Sequence, residues 1–114
     1  MITPQEIART AAEAADSKKA ADVTVIDVTG KSDVCDFIVV ATVSSNPQAH
    51  AVVDAVEEAV RTGCGTKPLS VEGKDGLSWV LMDYGPVVVH VFKPEQRDYY
   101  RIEKLWADAP HADL

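Results

Sequence analysis

The stretch FIVVATV, Phe37 to Val43, gives the strongest indication of how this chain folds. It is rich in β-branched residues and apolar almost without interruption, whereas a strand with one solvated face alternates apolar and polar residues. Both faces of this strand should therefore be covered by other elements, as in an α/β sheet. We expect it to be the central strand.

Upstream of this strand, the sequence predicts a helix and another strand. Thr3, Pro4 and Glu6 match a capped helix start, and we expect that helix to run to about Ala20. The run VTVIDV, residues 23–28, is β-branched and predicts a strand. The apolar stripe of the helix is small in volume, so we expect a peripheral helix; the stripe consists of Ile7, Ala11, Ala14 and Ala15.

Downstream of the central strand, a capped amphipathic helix precedes three more strands. Serine and asparagine caps come before Pro47, and apolar residues recur at helical spacing up to the glycines of TGCG: Ala49, Val52, Val53, Val56 and Val60. A short strand near PLSV follows, and then the strands LSWVLM and VVVHVF, joined by the turn DYGP as an antiparallel hairpin. The segment PEQRDYYRIEKLWADAP has helical spacing and ends at Pro110.

Together these elements predict an α/β fold, with a mixed, roughly five-stranded sheet and helices on its faces. Residues 1–110 would form a single domain and residues 111–114 a short tail. We expect six β-branched residues to carry the sheet core: Val25, Ile38, Val40, Val80, Val89 and Val91.

The composition restricts the possible partners and the compartment. The chain has 114 residues, 46% of them hydrophobic and 25% charged, which is the balance of one soluble globular domain. Its formal charge is −7, from 11 basic and 18 acidic residues, so unaided binding to nucleic acid is unfavourable and a basic protein partner fits better. Cys35 and Cys64 form no CxxC pair, and we find no signal peptide or membrane-length apolar run. We expect a cytoplasmic protein with reduced thiols and no membrane association.

The histidines do not predict a metal site or a general base. His50 lies at a helix start, His90 in a strand and His111 in a frayed tail, and none has a partner at ligand spacing. For His90 we favour a structural role in the sheet over general-base duty.

Other candidate catalytic motifs are also better explained by local structure. The segment GCGTKP lacks the P-loop pattern and the third glycine of a dinucleotide fingerprint, and it reads as a helix end. Asp33 and Asp36 could hold Mg²⁺, but capping and turn formation explain them better. Ser44 and Ser45 read as helix caps because no nucleophile elbow surrounds them. The sequence therefore predicts no catalytic residue, cofactor or metal.

A group of aromatic and acidic residues remains after this search and predicts a binding face. Trp and Tyr dominate interface hot spots because they bury large areas at small rotamer cost, although each of these residues could instead be core. The group consists of Trp79 in a strand, Asp83 and Tyr84 in the hairpin turn, and Tyr99, Tyr100 and Trp106 near the C-terminus.

At these residues the chain resembles the ribosomal silencing factor family, also called RsfS or Iojap-like. The resemblance covers about 90 residues, through DVTGKSDVCDFIVVATVSSNPQAHAVVDAV, VEGKDGLSWVLMDYGPVVVHVF and RDYYRIEKLW. The specific features are an EG before a Trp-bearing strand, a DxG turn, a VHVF-like strand and an R-x-x-Y-x-x-E-x-L-W helix. The family often carries an acidic residue after the turn glycine, where this chain has Pro86.

The resemblance implies a non-enzymatic translation repressor. Its fold would be similar to that of nucleotidyltransferases but without their catalytic signature. It would bind the large ribosomal subunit through the fourteenth large-subunit ribosomal protein and sterically block joining of the small subunit, especially when nutrients are short. The resemblance also implies a homodimer off the ribosome. A divergent nucleotidyltransferase-like enzyme using Asp33 and Asp36, and a dimeric adaptor for another protein, are the alternatives.

Within this reading, we predict a docking face at one end of the sheet. Trp79 would be its anchor, and Glu72, Asp83 and Tyr84 would form its polar rim. The alternative is that Trp79 is a core residue, in which case the C-terminal group of Tyr99, Tyr100 and Trp106 is the next candidate surface.

Overall fold

Five strands form one mixed sheet in the computed structural model, which describes residues 2–33, 35–106 and 109–111. The strands lie in the order β1-β2-β5-β4-β3; β2 and β5 are parallel, and the other neighbouring pairs are antiparallel. The predicted α/β architecture with helices on the sheet is therefore confirmed. The elements in chain order are α1 (Pro4–Ser17), β1 (Ala21–Asp27), β2 (Phe37–Thr42), α2 (Asn46–Cys64), β3 (Ser70–Glu72), β4 (Trp79–Asp83), β5 (Val87–Phe92), α3 (Pro94–Tyr100) and α4 (Ile102–Leu105).

Strand β2 is central, as its continuous apolar run predicts. All six of its residues are buried, and it lies between β1 and β5. Strand β2 pairs in parallel with β5, which is far away in the chain, and parallel strands are usually covered on both faces. The predicted core residues are all buried: Val25, Ile38, Val40, Val80, Val89 and Val91.

Helices α1 and α2 cover one face of the sheet, and α1 is more deeply embedded than its composition predicts. Ala8, Ala11 and Ala15 are completely buried in a core shared with α2, β2 and β5. Small side chains let α1 approach its neighbours closely, so the expectation of a peripheral helix is wrong. The helix also ends at Ser17 rather than at about Ala20, because Lys19 takes a left-handed conformation with φ of +64°.

The caps of the two long helices confirm the signals read from the sequence. The Glu6 N–H donates to Thr3 Oγ1 at 3.2 Å at the start of α1. The Gln48 N–H donates to Ser45 Oγ at 3.2 Å at the start of α2. Helix α2 ends at Cys64 and is capped by Gly65, which has a left-handed φ of +64° that favours glycine.

The opposite face of the sheet is covered by the C-terminal segment, which forms two short helices instead of the expected single one. Arg101, with φ of +49°, breaks the helix between α3 and α4. Beyond α4, His111 pairs with Ile26 at the outer edge of β1, and the Asp27 N–H donates to the Pro110 carbonyl at 2.9 Å. The expectation of a frayed tail is thus wrong for His111, and residues 112–114 lie outside the described residues.

No helix in the described parts of the chain is long and apolar enough to cross a membrane.

Candidate functional site

The C-terminal segment leaves part of its sheet face uncovered. Ile102, Trp106 and Ala109 pack over a buried cluster on the β1, β2 and β5 side, whereas the β3 and β4 side remains partly exposed. We call this uncovered part the open sheet face. It consists of Glu72, Trp79, Leu81, Asp83 and Val88, with Tyr100 at its border.

Strand register explains why these side chains lie together. Residues directly opposite each other in an antiparallel pair share a face, and successive residues alternate between faces. Glu72 lies opposite Leu81, and Asp83 lies opposite Val88. Because Trp79, Leu81 and Asp83 are two residues apart along β4, all of them project from the same side of the sheet. The structure therefore brings together three of the four predicted docking residues: Glu72, Trp79 and Asp83.

Trp79 lies at the boundary between this face and the core. Its side chain is partly exposed, and its ring centroid lies 4.3 Å from that of Tyr100 and 5.1 Å from that of Phe92. Its indole Nε1–H donates to His90 Nδ1 at 2.9 Å. Trp79 is consequently neither a free surface anchor nor a fully buried core residue: it presents part of its surface while the rest is held by three other rings.

His90 lies in the core beneath Trp79. Only 6% of its surface is exposed, and its ring is nearly parallel to that of Phe92, with centroids 5.6 Å apart. Burial lowers the pKa of His90 to about 4, so the imidazole is neutral at physiological pH. A neutral ring that accepts at Nδ1 carries its proton on Nε2. The structural role predicted for His90 is the one that these contacts favour.

Tyr84 must be removed from the predicted polar rim. It follows Asp83 directly, and its side chain is 3% exposed in the core on the α1 and α2 side of the sheet. Its hydroxyl has no hydrogen-bond partner among the described residues, and burial, with a smaller contribution from Glu57, raises the pKa of Tyr84 to about 12. The side chain of Tyr84 therefore supports the hairpin from the side of the sheet opposite the open sheet face.

The two acidic residues border the face differently. Glu72 is exposed at the edge strand β3, whereas Asp83 is half-buried at the hairpin turn. Asp83 Oδ1 accepts from the Gly85 N–H at 2.8 Å, and Gly85 has a φ of +87°. The Asp83 carboxylate thus fixes the turn while contributing negative charge to the open sheet face.

The C-terminal aromatic residues are not a separate surface. Tyr100 packs against Trp79 with its ring tilted by 42°, and Tyr99, which is 79% exposed, contacts Tyr100 edge to face at 5.1 Å. Trp106 is different, because it packs against the buried cluster that also contains Ile38 and Phe92. The first and second candidate surfaces of the sequence analysis therefore merge at Tyr100, while Trp106 mainly covers core.

Arg97, which the sequence analysis did not single out, fixes the helix that carries Tyr99 and Tyr100. Its guanidinium donates to the Asp22 carbonyl at 2.8 Å and to Thr42 Oγ1 at 2.7 Å, and it pairs with Glu103 at 2.9 Å. The hydrogen bond from Arg97 lowers the pKa of Glu103. Arg97 and Glu103 are six residues apart, which is not a helical contact spacing, so no sequence rule pairs them. The available signal for this pair was that both residues occupy defined positions in the R-x-x-Y-x-x-E-x-L-W pattern.

Leu81 and Gly73 were also missed. Leu81 lies in the middle of the open sheet face, and its alternation with Trp79 along β4 was the available signal. Gly73 has a φ of +89°, and a Cβ there would lie 2.0 Å from the Trp79 carbonyl oxygen. The loop after β3 therefore passes so close to the Trp79 backbone that only glycine fits, which gives the EG motif a physical reason.

The alternative of a nucleotide or metal site concerns Asp33, Asp36 and the surface depressions. Across residues 2–33, 35–106 and 109–111, no group of three or more His, Cys, Asp and Glu side chains could hold a metal ion. Asp33 is exposed and Asp36 is half-buried, with its N–H donating to the Pro86 carbonyl at 2.7 Å. A surface depression of about 510 Å³ has mixed charge and contains no aromatic residue; it is lined by Asp22, Thr24, Arg97, Asp98, Arg101, Glu103 and Lys104.

Comparison with known proteins connects this architecture to one family. The family described as "Ribosomal silencing factor during starvation" matches residues 2–114. A ribosomal silencing factor of Bacillus subtilis is 40% identical over 113 residues, which cover 99% of this chain and 95% of that protein. A crystal structure of a Chromobacterium violaceum protein is similar with a TM-score of 0.87 at 37% identity, covering 93% of this chain and 88% of that one. A mouse protein named mitochondrial assembly of ribosomal large subunit protein 1 is 33% identical over 91 residues, covering 78% of this chain and 40% of the mouse protein.

Proposed function

The chain belongs to the ribosomal silencing factor family, and on that premise we propose that it represses translation by occupying the large ribosomal subunit. It binds the fourteenth large-subunit ribosomal protein through the open sheet face and thereby prevents the small subunit from joining. It acts in the cytoplasm, chiefly when nutrients are short.

The observation that supports this proposal most strongly is the composition of the open sheet face. Trp79 and Tyr100 form a partly exposed aromatic pair beside Leu81, and the carboxylates of Glu72 and Asp83 border it. Aromatic anchors inside a polar rim are typical of interface hot spots. Ribosomal proteins that contact RNA carry many Lys and Arg residues, because the phosphate backbone selects them. An acidic rim on a chain of net charge −7 is complementary to such a partner.

The proposed mechanism is steric and requires no catalytic residue. The described part of the chain is about 33 × 32 × 23 Å, which is enough volume to exclude an opposing subunit surface at the docking position. The tightly packed core on both sides of the sheet keeps that volume rigid. We therefore propose a binding protein without catalytic activity. The name of the mouse relative, which refers to assembly of the large ribosomal subunit, supports the choice of the large subunit as the target.

Off the ribosome, we propose that two copies associate through the open sheet face. Leu81, Val88 and Trp79 are apolar and partly exposed, and a second copy would remove this surface from water. The dimer and the ribosome-bound form would then compete for one face. The dimer would thus be inactive until the ribosomal protein displaces the second copy.

Calorimetric titration with the purified fourteenth large-subunit protein tests the proposal. Glu72→Lys reverses a charge on the open sheet face, and Glu13→Lys is the matched control because it makes the same charge change on exposed α1, on the opposite side of the sheet. We expect Glu72→Lys to weaken binding about tenfold and Glu13→Lys to bind as the parent does. No binding by the parent, or equal weakening by both variants, would contradict docking through this face.

A further inference from the structure

The contact between Trp79 and His90 carries an inference that rests on the proposed function and extends it. We infer that His90 is a positioning residue, which holds the Trp79 indole in the orientation that the partner protein meets. His90 is itself covered, with 6% of its surface exposed, so its effect on docking would be exerted through Trp79.

The two side chains meet diagonally across neighbouring strands on the open sheet face. Trp79 lies opposite Phe92, and His90 lies opposite Leu81. The diagonal arrangement places the Trp79 and His90 ring centroids 5.8 Å apart and brings Nε1 within 2.9 Å of His90 Nδ1. This distance is that of a well-formed hydrogen bond.

The hydrogen bond supplies a constraint that the surrounding packing does not. The Phe92 ring stacks on the indole with an interplanar angle of 26°, and the Tyr100 ring packs against it tilted by 42°. Such packing fixes the plane of the ring but is similar for the two orientations that a half-turn about the Cβ–Cγ bond relates. An acceptor at the indole N–H selects one of these two orientations, since Trp has a single donor and no acceptor.

The chemical state of His90 is suited to this task. Burial keeps the imidazole neutral, so a lone pair at Nδ1 is available to accept. Its ring is further held by Phe92, whose plane differs from that of His90 by 3°. The acceptor is therefore itself fixed. Because the Trp79 side chain is already ordered in the free protein, it loses little conformational entropy on binding.

The experiment compares variants of His90 in two measurements. The first is the indole ¹H–¹⁵N resonance of Trp79 in the free protein, assigned by its loss in Trp79→Phe. The second is the affinity for the purified fourteenth large-subunit protein. His90→Phe keeps a stacked ring but has no acceptor, and His90→Asn keeps an acceptor near the position of Nδ1. Val91→Ala is the control, because Val91 neighbours His90 in β5 but is buried on the other face of the sheet.

We expect His90→Phe to move the Trp79 indole proton upfield and to weaken binding about three- to tenfold, the range expected for one lost hydrogen bond. His90→Asn should restore most of the parental indole shift and most of the parental affinity. Val91→Ala should lower the thermal midpoint while leaving the indole resonance and the affinity unchanged. If His90→Phe does not fold, His90→Leu replaces it as the variant without an acceptor.

An unmoved indole resonance in the variant without an acceptor would overturn the inference. So would parental affinity in that variant, or an equal loss of affinity in Val91→Ala. Failure of the parent to bind the ribosomal protein is a different result: it contradicts the proposed function. The positioning role is then judged by the indole resonance of the free protein alone.

Discussion

Asp83 and Tyr84 are adjacent in the hairpin, yet one borders the open sheet face and the other is core. The Tyr84 hydroxyl is buried without a hydrogen-bond partner in the described part of the chain, and an unsatisfied buried polar group costs stability. We predict that Tyr84→Phe leaves the free energy of unfolding unchanged or raises it by about 1 kcal/mol. Urea denaturation measures this change. A loss of more than about 1 kcal/mol would mean that the hydroxyl has a partner.

A second prediction at this scale concerns the response of His90 to acid. The unfolded chain protonates this histidine near its ordinary pKa of 6.5, whereas the folded protein keeps it neutral down to about pH 4. Between pH 6.5 and pH 4 the unfolded state therefore binds a proton that the folded state does not. The contribution of neutral His90 to the free energy of unfolding is fully present above about pH 6.5 and is lost as the pH falls towards 4. The loss attributable to His90 is about 3 kcal/mol.

Urea midpoints of the parent and of His90→Asn between pH 7.5 and pH 4.5 isolate this effect, because all other titrating groups are common to both proteins. The parent should lose stability more steeply than the variant over this range. Parallel curves would show that His90 does not remain neutral in the folded protein.

Single residues were predicted well where strand alternation was applied and poorly where it was not. Val40, Val80 and Val91 follow from β-branched runs with both faces covered. Tyr84 continues the alternation of β4 and lies on the same face as Val80 and Met82, so the prediction was wrong because it grouped Tyr84 with Asp83 as a turn residue. The exposure of Trp79 depends on Tyr100, a contact between distant segments that no local pattern contains.

At the scale of elements, the loop between β3 and β4 sets the position of Trp79. Gly73 has φ of +89°, and an added Cβ would collide with the Trp79 carbonyl oxygen, a backbone atom that cannot turn away. We predict that Gly73→Ala lowers the free energy of unfolding by about 2 kcal/mol or more, from backbone strain and the clash together.

Gly76→Ala is the matched control for this loop, because open space surrounds Gly76. It should change the free energy of unfolding by less than about 0.5 kcal/mol. Chemical denaturation of both variants gives the comparison. Equal stability of the two would show that the loop does not press against β4.

The elements themselves followed from periodicity and caps, but their breaks did not. Thr3, Ser45 and Gly65 act as helix boundaries, as the sequence indicated. Lys19 follows the end of α1 and Arg101 separates α3 from α4. Both have a left-handed conformation, but neither is a glycine, so the sequence does not indicate these breaks. The Arg97–Glu103 pair spans the break at Arg101, and helical spacing alone does not reveal this interaction.

For the whole molecule, an exposed apolar face on a small acidic domain leads to a prediction about self-association. Leu81, Val88 and Trp79 would be covered in the proposed dimer. Light scattering of the parent should report a dimer at micromolar concentration, and Leu81→Lys should shift it to monomer because a charge would be buried in the interface. The control Glu13→Lys, on α1, should remain dimeric. A parent that is monomeric at all micromolar concentrations would contradict the proposed dimer.

The fold class followed from the sequence because β2 is apolar on both faces, but the strand order did not. The pairing of β2 with β5 spans the whole of α2, β3 and β4, and local propensity carries no information about such contacts. The open sheet face was predicted only in part, because it too depends on contacts between distant segments. Its aromatic and acidic residues were visible as types, whereas their grouping depended on register and on where the C-terminal segment stops covering the sheet.

The central claim is that the open sheet face docks on the large subunit and keeps the small subunit from joining. Density-gradient profiles of purified subunits, mixed with saturating protein, measure joining directly. We predict that the parent and Glu13→Lys suppress the joined ribosome peak, and that Glu72→Lys at the same concentration suppresses it less. An unchanged joined peak with the saturating parent protein, or equal suppression by all three proteins across a titration, would contradict the account.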